Sequence, residues 1–447
     1  MNWQSYPLIR LVIPMIIGMA GADLLYDYVS TRMAWLVALM FLNMLVVVFL
    51  QIKSDKETLT RYFTIATITF FTLFGLTITV NSISKAEQEH GKNWKYSLYR
   101  NNGGCIDSVS NKIQKDLHEV YESHGISGQD GSVTEAMTIG RKDDISKSTR
   151  QDFSKAGLSH LLAISGFHIS IIFVILQCIF LGRIVTYKWK IVSDLVIVFC
   201  LWAYTFVTGM QPSIIRAVVM CTILVLAHCA KREAISINTC ALAAFIMLCF
   251  DPLLIFHIGF QLSFLAVTGI LTIGIPLCKT LSIHSNTKSG NYIYIKKITV
   301  KLYNGTMSII VISLVCNIIT MPLVSYYFHQ IPLLSVFSNL TTTILVTILI
   351  PTTCIWWLFL WNKTICGTLT AIILHCSSHI RRIAHFFAEQ PSSTYQCQPS
   401  ILDVVMAYLF ITTIAIWLKN NNSKNTISML TASILWMATV IAERLIK

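Results

Sequence analysis

Long apolar runs set the pattern of this chain. Stretches of about 20 mostly apolar residues, the length that crosses a bilayer as a helix, recur near 8–27, 33–51, 63–82, 160–181, 191–209, 213–230, 235–250, 256–278, 303–326, 332–360, 402–418 and 427–443. The length rule gives about twelve or thirteen spans. Lipid offers no partners to backbone N–H and C=O groups, so each run must be a helix. The predicted fold class is therefore an all-α polytopic integral membrane bundle. The first run is too long for a removed signal peptide and lacks its small-residue cleavage site.

Polar sequence interrupts this pattern at length only once, between residues 83 and 159. There "NKIQKDLHEVYES" sets Ile113, Leu117 and Val120 at helical spacing, and the breaker-rich "HGISGQDGS" follows. The pattern predicts a surface helix and then a loop, either a linker or a small functional domain. The chain divides on this reading into N-terminal transmembrane helices (1–82), a reduced extracytoplasmic segment (83–157) and a larger transmembrane domain (158–447).

Composition agrees, with 54% hydrophobic and 12% charged residues. The balance of 34 Lys+Arg against 21 Asp+Glu leaves +13, which would suit a nucleic-acid partner. Its distribution has a plainer cause. Basic residues crowd alternate loops: "GRIVTYKWK", "AKREA" and the stretch 279–301, whereas "MQPS", "DPLLI" and "FHQIP" hold no Lys or Arg. This positive-inside alternation places the basic loops and the N-terminus in the cytoplasm and 83–159 outside. Net charge is then no evidence for DNA. Thirteen cysteines show no paired CxxC spacing and fall mostly within apolar runs, as packing residues. Cys105 and, given a thirteenth span, Cys397 fall on the oxidising side, with their pairing left open.

The informative residues are those that hydrocarbon rejects, which usually face a bundle interior or a wet cavity. "HLLAISGFHIS" puts Ser165 and His168 on one helical face, with His160 two turns earlier and Gly166 allowing close backbone approach. "GMQPSIIRAVVM" starts a helix at Pro212, with Ser213 and Arg216 sharing a face. Arg216 is the sole charge in its span, either snorkelling outward or facing a polar interior. "DPLLIFHIGFQLSF" spaces His257 and Gln261 i, i+4, with Thr268 on the same side. Ser335, Ser338, Asn339 and Thr342 repeat the small-polar spacing. The first three stripes imply an internal hydrophilic path or a buried hydrogen-bond lattice, and the fourth leaves the same two alternatives. "LHCSSHIRRIAHFF" aligns His375, His379 and Arg382, with Arg381 and His385 nearby, and reads as an interfacial amphipathic helix. The His375–His379 pair has no third ligand in view, so no metal site is predicted.

Serine beside histidine also raises an intramembrane serine protease. Yet side chains three apart on a helix diverge, and the second glycine of the Gly-x-Ser-x-Gly elbow is missing. No catalytic residue is assigned.

"GLSHLLAISGFHIS", "TGMQPSIIRAVVM" and "DPLLIFHIGFQLSFLAVTGIL" follow the order and spacing of the ComEC family of competence channels, and "EAMTIGRKDDISKSTRQDFSKAG" resembles the family's lead-in to the first motif. The resemblance runs unbroken from Glu135 to Leu271 and is weaker around Asn339. It implies an inner-membrane channel through which single-stranded DNA enters the cytoplasm during natural transformation. His160, Ser165, Gly166, His168, Ser213, Arg216, Gln261 and Ser263 fall on its motif positions and would line or shape the path, with His257 and Asn339 beside them. A separate DNA receptor, a nuclease and a cytoplasmic motor ATPase are the partners it implies, since this chain holds no ATP-binding loop. Members often add an OB-type domain and a metallo-β-lactamase-like domain. Here 83–157 has no alternating strands and no H-x-H-x-D-H motif occurs, so a short form without nuclease activity, metal or other cofactor is expected. Sparse His, Ser, Gln and one Arg suit a conduit for a polyanion better than a basic tunnel that would trap it. The reading from another class is a small-solute permease with the stripes as its binding site.

Overall fold

The computed structural model describes residues 7–30, 33, 35–43, 56–90, 105–181, 187–230, 236–282, 293–391, 393–419 and 431. In chain order its helices are α1 (Ile9–Val29), α2 (Lys56–His90), α3 (Cys105–Ser123), α4 (Gly128–Thr138), α5 (Lys147–Lys155), α6 (Gly166–Leu181), α7 (Tyr187–Val207), α8 (Pro212–Cys229) and α9 (Ser236–Phe250). A 3-10 turn over Pro252–Phe256 leads into α10 (Ile258–Gly269), which runs through a π-helical turn (Ile270–Gly274) into α11 (Ile275–Leu281). Then come α12 (Ile293–Phe328), β1 (Gln330–Pro332), α13 (Ser335–Leu358), α14 (Lys363–Glu389), β2 (Thr394–Gln396) and α15 (Ile401–Lys419).

Among these, seven helices are long and apolar enough to cross a membrane: α1, α2 over Thr64–Glu89, α7 over Trp189–Val207, α8, the continuous rod Ile258–Leu281, α12 over Thr299–Phe328, and α13. Gly166–Phe180, Ile237–Phe250 and Ile401–Ala415 are apolar but shorter. The chain is an all-α, multi-pass membrane protein. Of the other expected spans, 33–51 lies partly and 427–443 almost wholly outside the described residues, as does the side chain of Cys105.

The chain forms two compact units. The first comprises residues 1–112 and 176–264. In it α1 lies against α2 at reciprocal glycines: a side chain on Gly18 would collide with the Thr72 carbonyl, and one on Gly75 with the Met15 carbonyl. Small residues let membrane helices approach to backbone contact, where dispersion and not the hydrophobic effect holds them. Met15, Met19, Met247, Leu248 and Phe260 fill one core beside them.

The second unit comprises residues 113–175 and 265–447. Here two expectations are corrected. "HGISGQDGS" is mostly helix, because Gly128 adopts φ +69° and starts α4 at once. A left-handed residue costs glycine little, so a run read as breakers instead sharpens one turn. Likewise 160–181 is helical only from Gly166, and residues 160–165 form a non-helical entry.

The polar segment is tied to the apolar helices of this unit. Tyr121 stacks on Trp356 with ring centres 5.0 Å apart. Its hydroxyl accepts from Trp357 Nε1 at 3.1 Å and lies 3.0 Å from Thr138 Oγ1. Trp356 Nε1 in turn donates to Thr370 Oγ1 at 3.0 Å. These bonds satisfy the polar tips of large buried rings. The expected amphipathic helix is α14, which buries Cys366, Thr370, Ile373, Cys376, Ser377, Ile380 and Ala384 along one side. Its Arg381 pairs with Asp130 of α4 at 2.7 Å, and its His385 reaches Asp152 of α5 at 3.0 Å. β1 and β2 pair antiparallel, Gln330 opposite Gln396.

Candidate functional site

The first motif enters its helix through a capping arrangement. Ser165 directly precedes α6, and His168 is its third residue. The Ser165 N–H donates to His168 Nδ1 at 3.1 Å, and Ser165 Oγ lies 2.8 Å from the same nitrogen. An amide can only donate, so Nδ1 accepts and the neutral ring carries its proton on Nε2. The third helical residue thus reaches back to the N-cap amide, as a Glu or Gln does in a capping box. This corrects the expectation that Ser165 and His168 diverge on a helix, since Ser165 is not yet helical. His168 is fully buried, and among the described residues its Nε2 has no hydrogen-bond partner. His160 lies exposed in the entry segment and shares no helical face with His168.

The same unit fixes that entry from the other side. Gly157 has φ +74°, and a β-carbon there would lie 2.6 Å from Ser335 Cβ. Ser338 Oγ donates to the Ala156 carbonyl at 2.7 Å, and Gln330 Nε2 to Ser154 Oγ at 2.7 Å. Ser335 Oγ donates to Asn317 Oδ1 at 3.0 Å. The late small-polar stripe therefore serves as a dock for the first motif: Ser335, Ser338 and Thr342 are buried, while the buried Asn339 Oδ1 has no partner among the described residues. Sequence reading missed Gly157 and Asn317. The glycine ahead of the histidine was visible, but only the helix packed on it reveals why it must be glycine.

The lead-in to the first motif holds a charged network. Buried Glu135 meets His118 Nδ1 at 2.9 Å and Arg141 at 3.7 Å, and Arg141 also pairs with Asp144 at 2.9 Å. Burial raises the Glu135 carboxyl, and the hydrogen bond to His118 together with the Arg141 charge opposes the rise. Burial lowers the Lys142 ammonium, with Arg150 adding repulsion. The donor atoms of His118, Glu135 and Asp144 lie within 4.8 Å of one another. Arg141 already supplies the cation there, so the cluster is a structural ion-pair network.

The second and third motifs lie in the first unit. Met210 (φ 50°) and Gly209 (φ 80°) make the turn before α8. Ser213 Oγ faces the Gly259 carbonyl at 3.5 Å. Arg216 is buried, its guanidinium carbon 5.7 Å from the centre of the Phe264 ring and its Nε without an acceptor among the described residues. Burial overturns the snorkelling alternative. His257, like Ser165, sits at a helix start, and its Nδ1 accepts from the Gly259 N–H at 3.1 Å. Gln261 Nε2 donates to the Ile255 carbonyl at 2.8 Å, closing the 3-10 turn. The expected stripe does not continue, because Thr268 is exposed. Ser263 is half-buried on α10. His375 and His379 of α14 have ring centres 4.2 Å apart, on a half-exposed face.

Two comparisons bear on this arrangement. Residues 137–421, more than half of the 447, match the family model described as "Competence protein". The chain is 26% identical over 208 residues to ComE operon protein 3 of Bacillus subtilis (strain 168), which is 46% of this chain and 24% of that protein. The match thus spans about a quarter of the relative's length. No solved structure matches.

Proposed function

From the premise that the chain belongs to the competence protein family, we propose that it is the inner-membrane conduit for single-stranded DNA during natural transformation. The match over residues 137–421 carries the proposal. The buried polar atoms support it. Among the described residues, His168 Nε2 and Asn339 Oδ1 of the second unit and Arg216 Nε of the first each lie within an apolar helix with no hydrogen-bond partner. In a purely structural bundle such groups satisfy one another, because an unpaired polar atom in lipid costs several kcal/mol. In a conduit, water and the passing strand satisfy them.

On this reading the N-terminus faces the cytoplasm, and the 83–157 segment faces the incoming strand. A separate receptor delivers DNA, a nuclease supplies the single strand, and a cytoplasmic motor ATPase draws it through. The chain itself binds and orients.

The test is nuclease-protected import of labelled DNA in a deletion strain, with and without this chain restored. Restored import supports the conduit. Import that persists in the deletion strain sinks it.

A further inference from the structure

We infer that the recess between the β1–β2 pair and the end of α12 binds a nucleobase of the incoming single strand. The inference rests on the conduit reading and names the part of the strand that this position holds.

The recess has a volume of about 470 Å³ and is lined by Phe328, His329, Gln330, Gln396, Cys397 and Gln398, all within the second unit. That volume falls within the ~300–1,000 Å³ of small-molecule sites. Its lining is selective. Among the described residues no Lys, Arg, Asp or Glu takes part, so the recess holds no fixed charge to attract a phosphate. It offers instead three neutral amides, each able to donate and to accept, beside two aromatic rings. A flat, neutral group with a hydrogen-bonding edge fits that combination, because rings stack on any base and amides meet base edges.

The backbone arranges these groups. Gln330 and Gln396 stand directly opposite in the antiparallel register, which sets their side chains on one face of the pair with β-carbons ~5 Å apart. Gln330 is anchored through its Nε2, which donates to Ser154 Oγ at 2.7 Å. Among the described residues the exposed Gln396 and Gln398 side chains make no hydrogen bond. Their amides are open to a ligand.

The ring side is held as firmly. His329 has φ 56°, a left-handed conformation that glycine takes at least cost. An imidazole stands there instead. Its N–H donates to the Ser325 carbonyl at 3.0 Å, and its carbonyl accepts from the Cys397 N–H at 3.1 Å, so the main chain is pinned on both sides while the residue stays exposed. Phe328, the last residue of α12, is 53% exposed beside it. A large ring left in the open next to amides is a stacking platform.

The recess also lies beside the entry to the first motif. Ser154, which holds Gln330, is two residues before the Ala156 carbonyl that Ser338 holds. On the conduit reading this side meets the strand first. Gripping a base and leaving the phosphates alone orients a polyanion without an electrostatic trap.

The full-length protein in nanodiscs would be titrated with fluorescent oligothymidylate and with an abasic strand of equal length and charge, for wild type, Phe328→Ala, Phe328→Tyr and the double variant Gln396→Ala, Gln398→Ala. Wild type should bind the oligothymidylate at least about fivefold more tightly, the low end of what one stacked base is worth. Phe328→Ala should lose most of that preference with the slope of log affinity against log salt unchanged, because no phosphate contact is removed. Phe328→Tyr keeps a ring and should keep the preference, which controls for folding. The double glutamine variant should weaken oligothymidylate binding and leave abasic binding as it was. A preference that survives in Phe328→Ala, or is lost equally in Phe328→Tyr, overturns the inference. Thymidine that binds as tightly as the oligonucleotide assigns the recess to a free nucleoside and overturns it too. The binding readout is independent of import, so the recess can fail while the conduit stands, and the reverse.

Discussion

Replacing His168 separates a capping histidine from a chemical one. In His168→Ala the Ser165 amide loses its acceptor, Ser165 Oγ loses its partner at 2.8 Å, and a fully buried ring leaves a void. A lost cap is worth ~1 kcal/mol, and the orphaned amide and cavity bring the total to about 2–4 kcal/mol. Glutamine at the third helical position supplies an acceptor and fills part of the space, so His168→Gln should cost about 1 kcal/mol. The assay is amide hydrogen exchange by mass spectrometry on nanodisc-held protein, following peptides across 160–170. Local opening should quicken by roughly 30-fold or more in His168→Ala, at tenfold per 1.4 kcal/mol, and by less than about tenfold in His168→Gln. DNA import should follow the same order. Were Ser165 and His168 a nucleophile and its base, glutamine would be as damaging to function as alanine. Equal import loss in both variants, or unchanged exchange in His168→Ala, refutes the capping account.

Gly157→Ala places a β-carbon at φ +74° against Ser335; the left-handed backbone alone costs ~1–2 kcal/mol. A thermal scan should therefore show a clear loss, with Ser335→Gly in the same chain restoring part of it. Lys142→Met should raise the thermal midpoint at neutral pH, by less than about 4 °C. Burial depresses the folded-state ammonium, so its stability contribution is present above the unfolded value of 10.5 and lost as pH falls through the folded value. The gain should vanish above pH 10.5, and a gain that persists there would refute desolvation as its cause. The import experiment completes the set.

The apolar runs by themselves determined the fold class. Hydrocarbon leaves the backbone no choice but helix, so length and hydropathy located α1, α2, α7, α8, α12 and α13 without any knowledge of packing. They also marked where chemistry interrupts the apolar sequence, since His168, Arg216 and Asn339 are conspicuous against it. What those residues do was not legible. Period and composition do not encode which atom of a histidine accepts, and whether Ser165 begins a helix or lies within one depends on an entry segment held by Gly157, Ser335 and Ser338, the two serines well over a hundred residues away. Exposure shows the same division. A polar stripe can be counted along α10, but only packed neighbours decide that Thr268 is exposed while Arg216 on α8 is buried over Phe264. Solvent preference acts residue by residue and is written in the chain; hydrogen-bond satisfaction is a property of pairs, and only the tertiary structure chooses the pairs.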